Sequence, residues 1–551
     1  MKDRVRKSFF AWLTSPGSHG RPWFQVCRGF SRKLEVSRGQ GHDPLLHVTE
    51  LMLPPLSARI GPLSSGCAVI LTLLAAQTPA SQAGEYPISG ALPGDQDFPA
   101  ASVSASGGYL VWEDNRIDGG KHGSGIAAAV LDSNLAATGS VFRVNQEPAG
   151  NQAKPQVLRL RNGATLFAWE QRQAEQPGVY VRLLDANGKF ATGDLLVNTP
   201  TWPSSVKQTN IWGVLSKNTW KLRKYKYRET ILNVREQAGG VALGALPDGG
   251  VVVAYHAIRR AETNSWGVVT NENLWTGVTK TPFKKLLFTD DWMHDVFFQR
   301  LDAEGRKIGP EVMVNQYVSY NQRNPAVAVL SDGRFIVVWV SEFPVSEEWA
   351  RNIPLRSSAR ADSRHSFRVG LFGRLFNAQG EPVGDEFSLA AGDDLIQANP
   401  SVAALPGGGF TVFCSQQEGT ASRRWDVYGQ NFGADGAATG PAFRVNDYTT
   451  GDQFGPKVAT QGDNQFVVWT SVGQDGSREG VYGRLLTGGA LSGEELRVNT
   501  TTVSRQMHPT VVANGEGRFL SVWAGFAGET GFDLFGNVHS GGGGTATGAG
   551  Q

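Results

Sequence analysis

The chain has 551 residues, of which 40% are hydrophobic and 19% charged, a composition typical of a globular protein and not of a disordered one. Its formal net charge of +2 hides an uneven distribution, because residues 1–83 carry ten Lys or Arg and four Asp or Glu. The rest of the chain carries 42 basic and 46 acidic residues. This mildly acidic part lacks the basic surface that general nucleic-acid binding requires, so no nucleic-acid partner is expected.

Residues 1–83 have the features of a leader for export. Residues 67–76 (CAVILTLLAA) form a short apolar stretch between Arg59 and a run of small residues, which is the pattern of a secretory signal. We expect cleavage near Ala83 and a natural start at Met52, with a long leader from Met1 as the alternative. The stretch is too short to span a bilayer comfortably, so no transmembrane anchor is expected after cleavage. The sequence therefore predicts a periplasmic or extracellular protein.

Residues 84–540 repeat one unit seven times. Each copy opens with Gln, usually followed three residues later by Pro, at Gln96, Gln152, Gln237, Gln322, Gln397, Gln453 and Gln506. Two apolar runs separated by a Gly-rich turn follow, and the second run closes on Trp112, Trp169, Tyr255, Trp339, Cys414, Trp469 or Trp523. A third run and a short fourth run, such as FRVN or LRVN, complete each copy.

The runs have the composition of β-strands. They are short, rich in Val, Phe, Tyr and Leu, and bounded by Gly, Asp or Asn, which predicts four strands joined by hairpin turns. A four-stranded unit of this length is typical of a propeller blade, because one such sheet cannot bury both of its faces alone. We therefore predict an all-β, seven-bladed β-propeller with four antiparallel strands per blade. The closing Trp residues should fill the space between blades, and Cys414 should be a buried thiol at the same position.

The two ends of the repeat region predict a closed ring. The last copy lacks a fourth run, and the chain then passes into the Gly-rich tail 541–551. The segment EYPISGALPGDQDFP near the start aligns with LRVNTTTVSRQMHP, a fourth run that leads into the next Gln-x-x-Pro. Residues Tyr86–Ser89 are therefore predicted to supply the missing strand of the last blade and to cover its edge.

At this point the units resemble the repeats of bacterial secreted and surface proteins, with phrases of the type VYGQRF and EFxVN. The matching stretches here are VYGRLL with SGEELRVN in the sixth copy and WDVYGQNFGADGAATGPAFRVN in the fifth. The resemblance covers about residues 85–540. It implies a propeller fold and no particular activity, since such propellers serve many roles.

Three insertions distinguish the second, third and fourth copies. They lie at about 199–236, 256–295 and 341–368, and in an up-and-down blade their connections emerge on one face. They are rich in Trp and basic residues, which can stack on sugar rings or pair with anionic groups. We interpret them as a surface for a glycan or protein partner, with a hydrophobic cluster that holds the insertions down as the alternative. The ligand-binding candidates are Trp212, Trp220, Trp266, Trp275, Trp349, Arg223, Lys224 and Arg356.

One patch in the third copy has residues suited to catalysis. The sequence TDDWMHD contains Asp291 and His294, and it lies one run away from Tyr255 and His256. Asp and His can act as an acid–base pair or bind a metal ion, whereas a solvated turn is the alternative. No phosphate-binding loop, nucleophile elbow or paired-Cys spacing is present, and no cofactor is expected.

Two functions are weighed from the sequence, and a structural role in a larger envelope assembly is a third option. The first is a non-enzymatic binding or scaffold module, and the second is a polysaccharide lyase or glycoside hydrolase that uses the His, Asp and Tyr patch. The first run of each copy should line the central axis and carries mainly small or apolar residues, so no ring of charges is expected there.

Overall fold

A computed structural model describes residues 84–541 except 173–175, 199–201, 213–221, 274–276, 319, 345–366, 390–394, 419–423 and 529. For residues 202–236, 259–292, 343–344, 367–368 and 418 it describes the backbone alone, apart from the gaps already named. The described residues form 30 β-strands and no helix, so the prediction of an all-β chain is confirmed. In this part of the chain there is accordingly no helix with the length and hydropathy needed to cross a membrane.

The strands group into four-stranded units, which we number 1 to 7 by the position of their first strand. The strands of units 1 to 3 are β2 (Gln96–Ser104), β3 (Gly107–Asp114), β4 (Gly125–Leu131), β5 (Ala137–Arg143); β6 (Asn151–Arg159), β7 (Thr165–Arg172), β8 (Gly178–Leu184), β9 (Leu195–Leu196); and β10 (Trp202–Trp212), β11 (Leu222–Ala245), β12 (Val251–Asn273), β13 (Gly277–Leu301), β14 (Lys307–Met313). Those of units 4 and 5 are β15 (Gln322–Val329), β16 (Phe335–Pro344), β17 (Phe367–Phe376), β18 (Phe387–Ser388); and β19 (Leu395–Ala404), β20 (Phe410–Glu418), β21 (Trp425–Phe432), β22 (Phe443–Arg444). Those of units 6 and 7 are β23 (Gln453–Gln461), β24 (Asn464–Val472), β25 (Glu479–Thr487), β26 (Ala490–Leu491), β27 (Leu496–Arg497); and β28 (Gln506–Ala513), β29 (Arg518–Phe526), β30 (Phe532–Ser540), β1 (Tyr86–Pro87).

Antiparallel pairing of consecutive strands holds each unit together. Among the described residues the units form six sheets, because units 4 and 5 share one eight-stranded sheet. A single parallel pair, Val369 with Ile396, joins those two units. Each unit is therefore one four-stranded antiparallel sheet, as the repeat pattern predicts, with the additional strand β10 in unit 3 and β26 in unit 6.

The first two insertions form one extension of the unit 3 sheet. β11, β12 and β13 are 24, 23 and 25 residues long, whereas strands in globular proteins usually have 3 to 10 residues. They pair along most of this length, and β10 adds a fourth strand beside β11. The insertions at 199–236 and 256–295 are thus parts of a single sheet and not two separate connections.

The hydrophobic core lies between units. The closing residues Trp112, Trp169, Tyr255, Trp339, Cys414, Trp469 and Trp523 are all at most 4% exposed. Each core cluster combines residues of two consecutive units: Trp169 of unit 2, for example, packs in one cluster with Val111 of unit 1. Unit 7 packs against unit 1 in the same way, because Leu520 and Trp112 share a cluster. The prediction that these large side chains fill the space between sheets is confirmed.

Cys414 replaces Trp in the core between units 4 and 5. Burial raises the pKa of its thiol to about 12. Cys414 is therefore the inert, buried thiol that the sequence predicts.

The first strands of the units contact one another in a cycle, in which β11 is the first strand of unit 3 because β10 is the additional strand. β2 contacts β6 and β28, and the contacts continue from β6 through β11, β15, β19 and β23 to β28. Every first strand therefore touches the first strands of the preceding and the following unit, and the cycle includes the two ends of the described chain.

A buried Gln opens each of six units. The Nε2 atom of Gln152 donates to the carbonyl oxygen of Ala149 at 2.9 Å, and Gln506 donates to Val503 at 2.9 Å. In units 2 and 7 the opening Gln thus satisfies a carbonyl of the segment that enters the unit, whereas Nε2 of Gln397 in unit 5 donates to Oε1 of Gln416 at 3.0 Å.

Unit 3 requires a correction of the predicted opening. Gly239 pairs with His256, which places Ala238 opposite Ala257, two residues after the closing Tyr255. In unit 1 the opening Gln96 pairs with Asp114, two residues after the closing Trp112. Ala238 is therefore the opening residue of unit 3, and the prediction of Gln237 was wrong by one position.

The N-terminal strand completes unit 7. Tyr86 pairs with Gly536 and Pro87 with Phe535, and the N–H of Ile88 donates to the carbonyl oxygen of Leu534 at 3.0 Å. This is the pairing that the alignment of the two chain ends predicts.

The residue before the short fourth strand repeats one contact in four units. The Glu85 carboxylate, directly before β1, accepts hydrogen bonds from the N–H groups of Thr500 and Thr501 at 2.6 and 2.8 Å. Directly before β9, β18 and β27, the corresponding residues Asp194, Glu386 and Glu495 likewise accept from N–H groups of the preceding unit. Glu85 thus makes the same contact as the residues before the other fourth strands. This contact adds to the pairing of β1 with β30 as evidence that β1 is the fourth strand of unit 7.

Candidate functional site

A bulge interrupts the first strand of every unit at the same place. In unit 2 the pairing register shifts between Ala153 and Gln156, and Lys154 lies inside the shift. The equivalent residues all have φ between 48° and 68°, the left-handed region, which costs a non-glycine residue roughly 1–2 kcal/mol. Pro fits the next position, since a bulge leaves it without a ladder hydrogen bond to donate. We call these residues the bulge ring: Phe98, Lys154, Gly240, Asn324, Asn399, Gly455 and His508.

The cycle of first strands brings the bulge ring together at one end of the strands. Each member lies near the beginning of its first strand, the end at which the second strand finishes and the third begins. The polar residues that follow the closing positions therefore lie next to the bulge ring.

These polar residues bind the bulge of the next unit. Ser415, directly after Cys414, accepts the N–H of Gly455 with its Oγ at 2.9 Å. Glu170, directly after Trp169, accepts the N–H of Gly240 at 2.6 Å, and Glu113 accepts that of Lys154 at 3.3 Å. His256 is the equivalent residue of unit 3, and its Nδ1 lies 3.3 Å from the N–H nitrogen of Asn324. The position after the closing residue therefore links neighbouring units.

The structure brings the predicted residues His256 and His294 together. Their rings meet edge to face with centroids 4.9 Å apart, and Nδ1 of His294 lies 3.3 Å from Oδ1 of Asn321. Burial lowers the pKa of His256 well below its usual value, and the charge of His294 and nearby cations act in the same direction. Burial also lowers the pKa of His294. Both imidazoles are therefore neutral near pH 7, with His256 acting as an acceptor.

The other predicted catalytic residues do not join this pair. Tyr255 is buried, and its hydroxyl donates to a carboxylate oxygen of Glu311. Asp295, from the same TDDWMHD patch, is buried and accepts a hydrogen bond from Asn315 at 2.8 Å. The side chain of Asp291 lies outside the described residues. Across the described ranges, no group of three or more His, Cys, Asp or Glu side chains is arranged to hold a metal ion.

The predicted ligand-binding residues lie mainly in the sheet extension or outside the described residues. Trp212 is the register partner of Lys224, and Trp266 is the partner of Arg228. Since Lys224 and Arg228 are four residues apart on one regular strand, these four residues share a face of the extension, whereas Arg223 belongs to the opposite face. Four candidates lie outside the described residues: Trp220, Trp275, Trp349 and Arg356.

Sequence reasoning missed the charged residues of the bulge ring and its surroundings. Arg172 pairs with Glu170, Arg323 pairs with Glu342 at 2.5 Å, and His508 lies 2.6 Å from Asp97. Lys154 and Lys457 add two more cations. The sequence predicts mainly small or apolar first strands without a ring of charges, and it does not anticipate these individual charged residues. These residues differ in their offset from the opening Gln, which is two positions for Lys154 and His508 and four for Lys457, so no single repeated position signals them.

Comparison with known proteins gives no family. No family model matches the chain, and no curated protein matches it, so the resemblance to bacterial repeat proteins stays a prediction. Similar solved structures include a protein of unknown function from Dyadobacter fermentans, with 12% identity and a TM-score of 0.40 over 70% of this chain and 94% of that chain. Polysaccharide lyase Uly1 has 10% identity and a TM-score of 0.41 over 82% and 91% of the two chains. The GH93 α-L-arabinofuranosidase of Fusarium graminearum has 13% identity and a TM-score of 0.39 over 71% and 93%. At these TM-scores, none of the three assigns an activity or a ligand to this chain.

Proposed function

We propose that the chain is an exported seven-bladed β-propeller, closed by its own N-terminal strand, that binds a glycan and does not act as an enzyme. The cyclic contacts of the first strands and the cores between consecutive units, including units 7 and 1, support the closed propeller. Export rests on the signal pattern of residues 1–83.

The binding function rests on one contrast at the bulge ring: the histidines there are partly buried, whereas three polar side chains are exposed. The histidines suited to catalysis are neutral and partly buried, and His256 is engaged as an acceptor for the next unit. Lys154, Asn399 and Lys457 are exposed at the same end of the strands. Exposed polar groups beside a rigid backbone ring favour recognition of a polar ligand.

The sheet extension of unit 3 supplies a second part of the proposed contact surface. Trp212 and Trp266 share one face with Lys224 and Arg228. A sheet face that carries Trp and basic residues suits a sugar polymer, because indole rings stack on apolar sugar faces and cations contact sugar oxygen atoms. A protein partner at this surface is the alternative ligand.

A glycan array with the protein lacking residues 1–83 tests the proposal. We expect binding to a restricted set of glycans and a weaker signal for Trp212→Ala and Trp266→Ala. Tyr225→Ala is the matched control, since Tyr225 belongs to the opposite face of the extension. Absence of binding to every glycan on the array would contradict glycan binding. If Tyr225→Ala weakened binding as much as the two Trp variants, the face with Trp212 and Trp266 would not be the glycan contact.

The paired histidines define the enzymatic alternative. Polysaccharides that bind on the array should be incubated with the protein, and the release of reducing ends measured. We expect no release. Turnover that His256→Gln and His294→Gln each abolish, while the variants keep wild-type thermal stability, would establish the enzyme instead.

A further inference from the structure

Three members of the bulge ring form a row where the cycle of units closes. The ring of His508 in unit 7 stacks on that of Phe98 in unit 1, with centroids 4.1 Å apart and planes inclined by 17°. On the side of unit 2, Nζ of Lys154 lies over the Phe98 ring, 5.9 Å from its centroid. The three residues belong to β28, β2 and β6, and β2 contacts both of the other strands. The row therefore joins an imidazole, a phenyl ring and an ammonium group from three consecutive units.

The imidazole of His508 is held in a fixed orientation. Its Nδ1 lies 2.6 Å from Oδ1 of Asp97, and the same oxygen accepts the N–H of Phe98 at 2.8 Å. Because an ionised carboxylate can only accept, Nδ1 carries the proton and Nε2 of the neutral ring is an acceptor. The His508 side chain is 24% exposed, and Nε2 is neither buried nor hydrogen-bonded within the described ranges. Nε2 is therefore an oriented acceptor that is open to a ligand.

The side chains of this row are larger than the bulge requires. The φ angle is 50° at Phe98, 48° at Lys154 and 52° at His508, a region that residues other than Gly and Asn seldom adopt. The other four units have Gly or Asn at this position: Gly240, Gly455, Asn324 and Asn399. Backbone strain of this kind is typical of ligand-binding sites, where the side chain has a role besides folding.

The row carries carboxyl groups as well as basic groups. Asp97 is paired with His508, and Glu113 accepts the backbone N–H of Lys154 at 3.3 Å. Burial raises the pKa of Glu113, and the charge of Asp97 acts in the same direction. Because carboxylates repel anionic groups, this surface favours a neutral ligand over an acidic one.

We propose that His508, Phe98 and Lys154 form a subsite for one neutral sugar residue at the closure of the ring. A sugar hydroxyl donates to Nε2 of His508, and apolar C–H groups of the sugar contact the partly exposed Phe98 ring. The ammonium group of Lys154 donates to a sugar oxygen. Asp97 is a positioning residue, since it acts through His508. The subsite rests on the proposed glycan-binding function and adds its location and the charge class of the ligand.

Substitution by Asn tests the subsite and keeps the bulge. His508→Asn, Phe98→Asn and Lys154→Asn each remove one contact and introduce the residue that units 4 and 5 have at this position. Gly, the residue of units 3 and 6, provides a second set of variants if an Asn variant melts at a lower temperature than the wild type. Phe98→Tyr keeps an aromatic ring.

The matched control is Lys189→Asn. Lys189 is an exposed lysine in the turn between the third and fourth strands of unit 2, at the opposite end of the strands from the bulge ring. This variant makes the same chemical change as Lys154→Asn and leaves the row intact.

Calorimetric titration of the protein used on the array measures affinity. The neutral probes are the hexasaccharides of cellulose, xylan and mannan and any neutral glycan that binds on the array, and the acidic probes are polygalacturonate and dextran sulfate. We expect a neutral probe to bind and both acidic probes to bind far more weakly. Each Asn variant of the row should raise Kd by about tenfold, whereas Phe98→Tyr and Lys189→Asn should keep Kd within about twofold of the wild type.

Each other outcome overturns a defined part. If a neutral probe binds the folded Asn and Gly variants as tightly as the wild type, the row is not the subsite, while glycan binding stands. If only acidic glycans bind, the proposed charge class and the subsite are wrong, and glycan binding again stands. If no glycan of either kind binds on the array or in the calorimeter, glycan binding itself fails and the subsite falls with it.

Discussion

Several polar side chains of this protein bind backbone groups of a neighbouring unit. Arg484 on the third strand of unit 6 donates to the carbonyl oxygen of Val445 in unit 5 at 2.9 Å, and Arg374 donates to Val314 in the same way at 3.1 Å. Ser415 and His256 accept N–H groups of the following unit. A backbone N–H or carbonyl group that is buried without a partner costs free energy. These side-chain contacts therefore favour the one spacing between neighbouring sheets at which the backbone groups are paired.

Glu85 provides a direct test of this kind of contact. We expect Glu85→Ala to lower the free energy of unfolding by about 1 kcal/mol, because the N–H groups of Thr500 and Thr501 lose their carboxylate acceptor. Urea unfolding of the protein that begins at residue 84 measures this change. Glu494→Ala is the control, since Glu494 is exposed and not in contact with this site. Equal stability of Glu85→Ala and the wild type would show that the contact does not hold the N-terminal strand.

His539 should make the protein sensitive to acid. Burial lowers the pKa of His539 to about 4 from an ordinary value of 6.5. The unfolded chain therefore takes up a proton that the folded state excludes, and stability falls as the pH drops from 6.5 towards 4. The whole shift corresponds to a loss of about 3 kcal/mol of stability through this residue.

Replacement of His539 tests this linkage. His539→Phe should flatten the fall in unfolding free energy between pH 6.5 and 4, measured by urea titration at several pH values. The equivalent change at the exposed His122 should leave the slope as it is in the wild type. Part of the slope should survive in His539→Phe, because the pKa values of His256 and His294 are also lowered.

At the scale of strands, one short element determines whether the last sheet has a free edge. β1 has only two residues in the ladder, yet it covers β30, whose backbone groups would otherwise be open to another chain. The N–H of Ile88 extends this pairing by one hydrogen bond, and Glu85 adds a contact with Thr500 and Thr501 of the preceding unit. The first strand of the described chain thus acts as the last strand of the fold.

Removal of this strand should expose the edge of β30. A protein that begins after residue 90 is expected to melt at a lower temperature and to self-associate, as measured by calorimetry and light scattering. A peptide of residues 84–90 added in trans should restore the monomer by occupying the edge, whereas the same peptide with Ile88→Asp should not, because Ile88 is 3% exposed in the core. An unchanged melting temperature in the shortened protein would contradict closure by this strand.

At the scale of the whole molecule, the cores between units predict cooperative unfolding. Trp112 lies in the core of units 7 and 1, and Trp469 lies in that of units 5 and 6. In a closed cycle every unit has two neighbours, so loss of one core weakens the whole ring. In an open array, unfolding can begin at an end and proceed unit by unit.

Two distant substitutions distinguish these cases. Trp112→Ala and Trp469→Ala should each destabilise the protein by about 3–5 kcal/mol and shift a single calorimetric transition without splitting it. Phe526→Ala, at an exposed position, is the control and should have little effect. Two separate transitions in either Trp variant would show that the units do not unfold as one ring.

The sequence by itself determined the strands, their order and the buried closing residues, because alternation of apolar residues and Gly-rich turns are local features. It also indicated closure, since the missing fourth run at one end matched a surplus run at the other. The opening of unit 3 was displaced by one residue, because Ala238 has no side chain that repeats the Gln signal.

Only the tertiary structure decided which side chains meet. Phe98 and His508 belong to units 1 and 7, and the closed cycle of first strands brings their rings into a stack with centroids 4.1 Å apart. His256 resembled a catalytic base in sequence, whereas packing made it a neutral acceptor for the next unit. Contacts of this kind depend on the ring as a whole, and a local pattern of residues carries no information about the distance across it.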